Sequence, residues 1–238
     1  SILVREYETS QTIRLARFYA NRLRRLLPAL ATMVILSSLA AHYLLPESQN
    51  LAHSKAGAAS ALWLSNIYFA FSDVDYFAAE NSRNIFLHTW SLGVEEQFYL
   101  IWPFALLGVL SVAKAITLNN RLFIAFSTIA LVSFIGCMYF ALNNPTIAFY
   151  MTPARAWQFS IGGFAWLLGR YHLPDLKLAH ITGFLGLALI ASALLLINEL
   201  SVYPSSLALL PTLGTALLLW SGSGNLKNQR IAAFLSIA

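Results

Sequence analysis

The sequence predicts an all-α protein, a polytopic transmembrane helical bundle with a re-entrant segment, on three observations. Only 11% of its 238 residues are charged, 58% are hydrophobic and the mean hydropathy is +0.64; soluble chains carry about 25% charged and about 45–50% apolar residues. Residues 122–154 and 200–226 contain no charged residue, and each run exceeds the roughly 20 apolar residues that cross a hydrocarbon core. Basic residues alternate between loops: Lys114 and Arg121, none in 143–152, Arg170 and Lys177, none in 198–205, then Lys227 and Arg230. Cytoplasmic loops hold the excess of Lys and Arg, so the basic loops are expected inside.

The elements follow in order. Residues 1–25 are polar and Arg-rich, with Ser10 as N-cap of a helix through Arg25, and are expected in the cytoplasm. Leu26–Leu45 is an apolar span that Pro46 ends, and 47–55 is a polar stretch. Ala56–Phe71 is apolar but short, and 73–84 is acidic and turn-like. A helix begins near Leu92 and runs through Phe98–Ala113 with Pro103 as a kink. Further spans are Leu122–Leu142, Ala156–Gly169, Leu178–Ile197 and Ser206–Trp220. Counting loops back from these spans makes 46–94 begin and end on the non-cytoplasmic face. Ala56–Phe71 then dips in and returns, or pairs with a partial span near 85–94. Irregular backbone at membrane depth survives only when buried in protein or lining a wet cavity, which marks this region as a candidate site.

Composition also removes other classes. The net charge of +5 and pI near 9.5 do not indicate nucleic acid, because six of the fifteen basic residues precede Leu26 and the rest are scattered. Cys137 is the single cysteine and sits in an apolar run, where a small core residue is expected rather than a disulfide or thiolate cluster. The histidines show no ligand spacing, and no metal site is expected.

Three constellations carry chemistry. The first runs from His88 through Trp90, Ser91, Glu95, Glu96 and Gln97 to Trp102. Two carboxylates heading an otherwise uncharged helix are expensive in a membrane, where a central charge costs about 2.5–3.5 kcal/mol on the lowest scales. Glu95 shares a helical face with Tyr99 and Trp102, whereas Glu96 is turned about 100° away; one is expected to be functional and the other structural. Simple capping of the helix N-terminus is the alternative. The second is Arg14, Arg17, Arg22, Arg24 and Arg25. Arg22 and Arg25 lie three apart on one face, where two guanidinium forks can hold phosphate oxygens; a cytoplasmic anchor for anionic lipid is the alternative. The third is Arg155, a lone cation on the side the positive-inside rule leaves empty, with Glu95 or Glu96 as candidate partner and Trp157 as an aromatic plate for a sugar or the guanidinium. Gly162 and Gly163 read as helix-packing residues.

Phe18 to Leu30 with Arg22-Leu-Arg24-Arg25, Ser65-Asn66-Ile67-Tyr68-Phe69 with Asp75-Tyr76-Phe77, His88 to Tyr99, and Arg155-Ala-Trp157-Gln-Phe159 with Gly162 together resemble the membrane acyltransferase-3 family, which includes bacterial surface-glycan O-acetylases. The resemblance implies transfer of an acyl group, usually acetyl, from acyl-CoA (acetyl-CoA) to a hydroxyl of a surface carbohydrate such as lipopolysaccharide O-antigen or peptidoglycan. It implies a multi-pass protein of the bacterial inner membrane whose partners are acyl-CoA, a carbohydrate acceptor and the lipid bilayer. Arg22 and Arg25 match the family's donor-binding pair. His88, Trp90, Ser91, Glu95, Glu96 and Arg155 are expected to shape the transfer site, and Gln158 stands where relatives often carry Glu. Residues 1–238 are expected to form a partial acyltransferase domain, without the opening helix that bears the family's basic residue and histidine and without its closing helix region. On residue chemistry alone a transporter or flippase is the rival, since intramembrane carboxylates and a re-entrant segment also suit substrate pathways.

Overall fold

The computed structural model describes residues 2–72, 84–111, 116–198 and 201–223. Among these the regular structure is entirely helical: α1 (Ile2–Ser10), α2 (Leu15–Leu44), α3 (Glu47–Ala61), α4 (Ser65–Phe71), a 3-10 turn (Leu87–Thr89), α5 (Trp90–Ser111), α6 (Leu118–Asn143), α7 (Pro145–Tyr150), α8 (Thr152–Tyr171), α9 (Leu176–Leu196), a second 3-10 turn (Ser206–Ala208) and α10 (Leu209–Ser221). α2, α6 and α9 are long and apolar enough to cross a membrane, and the protein is a helical membrane bundle. The acidic stretch 73–83, and with it Asp75-Tyr76-Phe77, lies outside the described residues, as do Lys114, Lys227 and Arg230.

The chain divides into two compact units, residues 1–107 with 150–152, and 108–149 with 153–238. In the first, α2 is one helix of 30 residues with Pro28 inside it, about 45 Å at 1.5 Å per residue. The arginine segment and the first span are therefore one element. Ser10 does not cap that helix: it ends α1, its hydroxyl donates to the Glu6 carbonyl at 2.8 Å, and Gln11 turns the chain at φ 54°. A hydroxyl near a helix end bonds back to the preceding turn as readily as forward, which sequence alone does not separate.

The polar stretch 47–55 is helical as well, since Pro46 stands immediately before α3, where its missing N–H breaks no helical bond. The segment expected to be re-entrant is thus α3, a break at Leu62–Leu64, and α4, and neither helix has the roughly 20 residues of a span. The break is a Schellman turn: Leu64 N–H donates to the Ala59 carbonyl at 2.8 Å and Trp63 N–H to the Ser60 carbonyl at 3.1 Å. Its left-handed position, usually glycine, is Trp63 at φ 57°, a conformation that costs an L residue about 1–2 kcal/mol. α3 packs on α2 and α4. α5 starts at Trp90, two residues before its expected start, and encloses Pro103.

In the second unit the loop expected at 143–152 holds the short helix α7, capped by Asn144 Oδ1 accepting from Ile147 N–H at 3.1 Å. Thr117 and Asp175 cap α6 and α9 with their side chains. α8 packs on α6 where Gly163 meets the Phe126 ring: a Cβ there would fall 2.5 Å from a ring carbon. Gly162 faces open space, so of the two glycines Gly163 makes the packing contact. Ser133 of α6 packs on the first turn of α8, donating to the Pro153 carbonyl at 2.5 Å and accepting from Trp157 N–H at 2.9 Å. Cys137, Ala154, Trp157 and Ala208 form a buried cluster, as expected for an unreactive cysteine. α9 and α10 approach most closely where Gly186 faces the Gly214 carbonyl and the reverse, the small-residue contact that lets membrane helices pack tightly.

Candidate functional site

The first unit gathers the charged residues. Glu96, on the second turn of α5, is nearly fully buried and accepts a two-pronged contact from Arg22 of α2: Nε to Oε2 at 2.8 Å and Nη2 to Oε1 at 2.5 Å. The Arg22 guanidinium lies over the Tyr99 ring, 3.3 Å from its centroid. Tyr99 follows Glu96 by three residues on the same helical face, so one turn of α5 supplies both a carboxylate fork and an aromatic plate. Tyr19 fixes the same junction from α2, its hydroxyl donating to the Leu100 carbonyl at 2.8 Å. Glu96 is therefore the carboxylate held in an ion pair, and its partner is Arg22, not Arg155.

Glu95 is exposed and, with Arg17, Asn21, Arg22, Arg25 and Glu6, lines a polar cavity of about 620 Å³. Three guanidinium and two carboxylate groups line it, and with Arg22 paired to Glu96 the rest, Arg17 and Arg25 against Glu6 and Glu95, balance formally to zero. Arg17 and Arg25 are exposed, whereas the Arg22 fork is committed to Glu96. Sequence spacing pointed to Arg22 and Arg25; Arg17 joins them because it lies eight residues before Arg25, a little over two helical turns, a periodicity readable in the sequence.

A part-buried amide network lies one residue further along α5. Gln97 Nε2 donates to Asn66 Oδ1 at 2.8 Å and to the Trp63 carbonyl at 3.1 Å, while Gln97 Oε1 accepts from Thr152 Oγ1 at 2.6 Å and Asn66 Nδ2 at 3.2 Å. Asn66 Nδ2 also donates to the Tyr150 carbonyl at 3.1 Å. These bonds tie the α3–α4 break, α5 and residues 150–152 together. Gly93 makes the approach possible: a Cβ there would fall 2.8 Å from Asn66 Oδ1. Sequence reasoning counted Gln97 in the polar run of α5 without giving it a role and passed over Asn66, which stands inside another run it singled out. Ser60, Ser65 and Thr89 form a second buried hydroxyl cluster beside them.

The remaining sequence candidates lie elsewhere. His88 and Ser91 are exposed, with Ser91 Oγ donating to the His88 carbonyl at 3.2 Å. Trp90 is half-buried, edge-on to Tyr150 at 5.7 Å. Arg155 belongs to the second unit, where its Nε donates to the Phe149 carbonyl at 2.5 Å and its guanidinium stands 4.8 Å from the Phe149 ring and 5.9 Å from that of Tyr203. Trp157, expected as an aromatic plate, is buried edge-on against Phe134; Phe149 and Tyr203 take that part because Trp157 points into the α6–α8 core. Among the described residues no three His, Cys, Asp or Glu side chains gather as metal ligands.

The sequence profile of the acyltransferase domain family matches residues 7–238. The chain belongs to that family. It is 31% identical over 173 residues to the peptidoglycan O-acetyltransferase OatA of Listeria monocytogenes, covering 71% of this chain and 28% of that protein. It is 36% identical over 158 residues to the putative membrane-bound transacylase BcsY of Komagataeibacter xylinus, covering 66% and 39%. It is 31% identical over 166 residues to the putative peptidoglycan O-acetyltransferase YrhL of Bacillus subtilis, covering 68% and 25%. The matched region is thus well under half the length of these relatives. No solved structure matches the chain significantly. Membership places the chain in an acyltransferase family rather than among transporters.

Proposed function

We propose that this domain transfers an acyl group, in the first instance acetyl, from acyl-CoA in the cytoplasm to a hydroxyl of a surface carbohydrate such as peptidoglycan or O-antigen, from the bacterial inner membrane. The observation that carries the reading is the arginine-lined cavity at the start of α2. Arg17 and Arg25 supply exposed forks able to hold phosphate oxygens in pairs, and Arg22, held by Glu96 and Tyr99, fixes the wall from which they project. Glu95 on the same wall, with Trp90, Ser91 and His88 before it, forms the approach to the transfer site, and Arg155 serves the acceptor side. The reaction joins the acceptor oxygen to the acyl carbon, releases the thiol of CoA and moves one proton from hydroxyl to sulfur.

Binding of CoA to the purified full-length protein tests the reading. Each charge-assisted hydrogen bond is worth about 1.5–3 kcal/mol, so replacing Arg17 and Arg25 together by alanine is expected to weaken CoA at least about tenfold while the protein still inserts. Acetylated glycan in cells lacking other acetylases should fall with it. Unchanged CoA affinity would make these arginines a lipid anchor and sink the donor assignment.

A further inference from the structure

A second cavity, of about 270 Å³, adjoins the first and shares Arg22 and Tyr99 with it as lining residues. Its character is opposite. Beyond Arg22, Tyr99, Glu96 and Gln97 its walls are Tyr19 and Leu23 of α2, Leu62, Trp63 and Leu64 of the α3–α4 break, and Leu100 of α5. The stacked Arg22–Tyr99 pair therefore stands between a polar chamber and an apolar one. A ligand that fills both meets the exposed Arg17 and Arg25 at one end and apolar surface at the other.

Trp63 narrows the chemistry. It is the non-glycine residue held at φ 57° in the turn that ends α3, and strain of this kind, kept in place by its surroundings, gathers at functional sites. Its carbonyl is fixed by Gln97, whereas its indole N–H is buried with no hydrogen-bond partner among the described residues. A buried indole N–H ordinarily finds an acceptor. The wall of this chamber thus offers mainly apolar surface, the complement of a short hydrocarbon chain.

We propose that the chamber of Leu23, Leu62, Trp63, Leu64 and Leu100 is the acyl subsite of the donor, taking the hydrocarbon chain of an acyl thioester whose phosphates lie in the arginine-lined cavity. The inference rests on the donor reading of that cavity and deepens it. The chamber is roomier than a two-carbon group requires, so it also sets which acyl chains the enzyme accepts: acetyl is admitted, and somewhat longer chains bind better.

The test is the affinity of the detergent-solubilised full-length protein for CoA, acetyl-CoA, butyryl-CoA and octanoyl-CoA. Each methylene that enters the chamber is expected to tighten binding about fourfold until the space is full. Leu23 and Leu64 are 40% and 42% exposed, so an indole at either position fills the chamber without entering the packed interior. Leu64→Trp, or independently Leu23→Trp, should bring the ratio of butyryl-CoA to CoA affinity down to about one. Equal binding of CoA and all its thioesters by the unaltered protein would overturn the subsite while leaving the donor reading intact. A chain-length preference that both filling variants leave unchanged would give the chamber to a membrane-lipid tail, with the same consequence. Failure of CoA itself to bind would overturn both readings.

Discussion

Replacing Arg22 or Glu96 by alanine removes one half of the same ion pair, and the structure makes the two losses unequal. The Glu96 side chain is 6% exposed and that of Arg22 23%. Without Arg22 the carboxylate stays buried with its charge uncompensated, the situation that costs about 3–5 kcal/mol. Without Glu96 the guanidinium keeps the Tyr99 face at 3.3 Å and turns its exposed edge to water. That loss is closer to the ~1.5–3 kcal/mol of charge-assisted hydrogen bonds. Arg22→Ala is therefore expected to destabilise by about 1–2 kcal/mol more than Glu96→Ala. The double variant should lose less than the sum of the two, because it leaves no charge unpaired. Thermal unfolding of the full-length protein and its three variants in one detergent ranks them directly. A larger loss for Glu96→Ala, or strict additivity, would refute the view that the pair is buried from the carboxylate side.

Gly93→Ala drives a methyl group to 2.8 Å from Asn66 Oδ1 and 3.1 Å from the Trp63 carbonyl and is expected to lower stability by about 1–3 kcal/mol. Gly108→Ala on the same helix meets nothing within 4 Å and should be neutral or stabilise by up to about 1 kcal/mol; unfolding midpoints of the two variants decide it. Single cysteines at Asn50 and Asn144 should react with an impermeant thiol reagent from outside the cell, while those at Thr117 and Lys177 stay protected; labelling at Thr117 without labelling at Asn144 would invert the topology.

The spans were legible because their signal is local: an uncharged run of about 20 residues has one economical solution in a bilayer. That Glu95 and Glu96 meet different surroundings was legible as well, because neighbours on a helix face directions about 100° apart. The identity of Glu96's partner was not. Arg22 lies 74 residues away, and nothing in the spacing of α2 distinguishes Arg22, whose guanidinium is held, from Arg25, which is exposed. The α3–α4 break was seen only as a segment too short to span, since the residue at its left-handed turn is Trp63 where glycine would have marked it. Gln97 and Asn66 were given no role for a related reason: amide side chains carry no charge to flag their burial, yet a network of them is acceptable in an apolar setting only when each donor and acceptor is met.

These features have one physical logic. A carboxylate buried in protein persists only with a partner, and the partner here is a guanidinium that also stacks on Tyr99, so charge, hydrogen bonds and apolar surface are met by one side chain. A lysine at position 22 would keep the charge but neither the fork nor the stacking plane. The same two residues, Arg22 and Tyr99, line both the polar and the apolar chamber, so a change that loosens the pair would disturb both walls together. Glu95, exposed on the neighbouring face, is free of that duty. It is the carboxylate of the two that can change its contacts during a reaction without unpicking the fold.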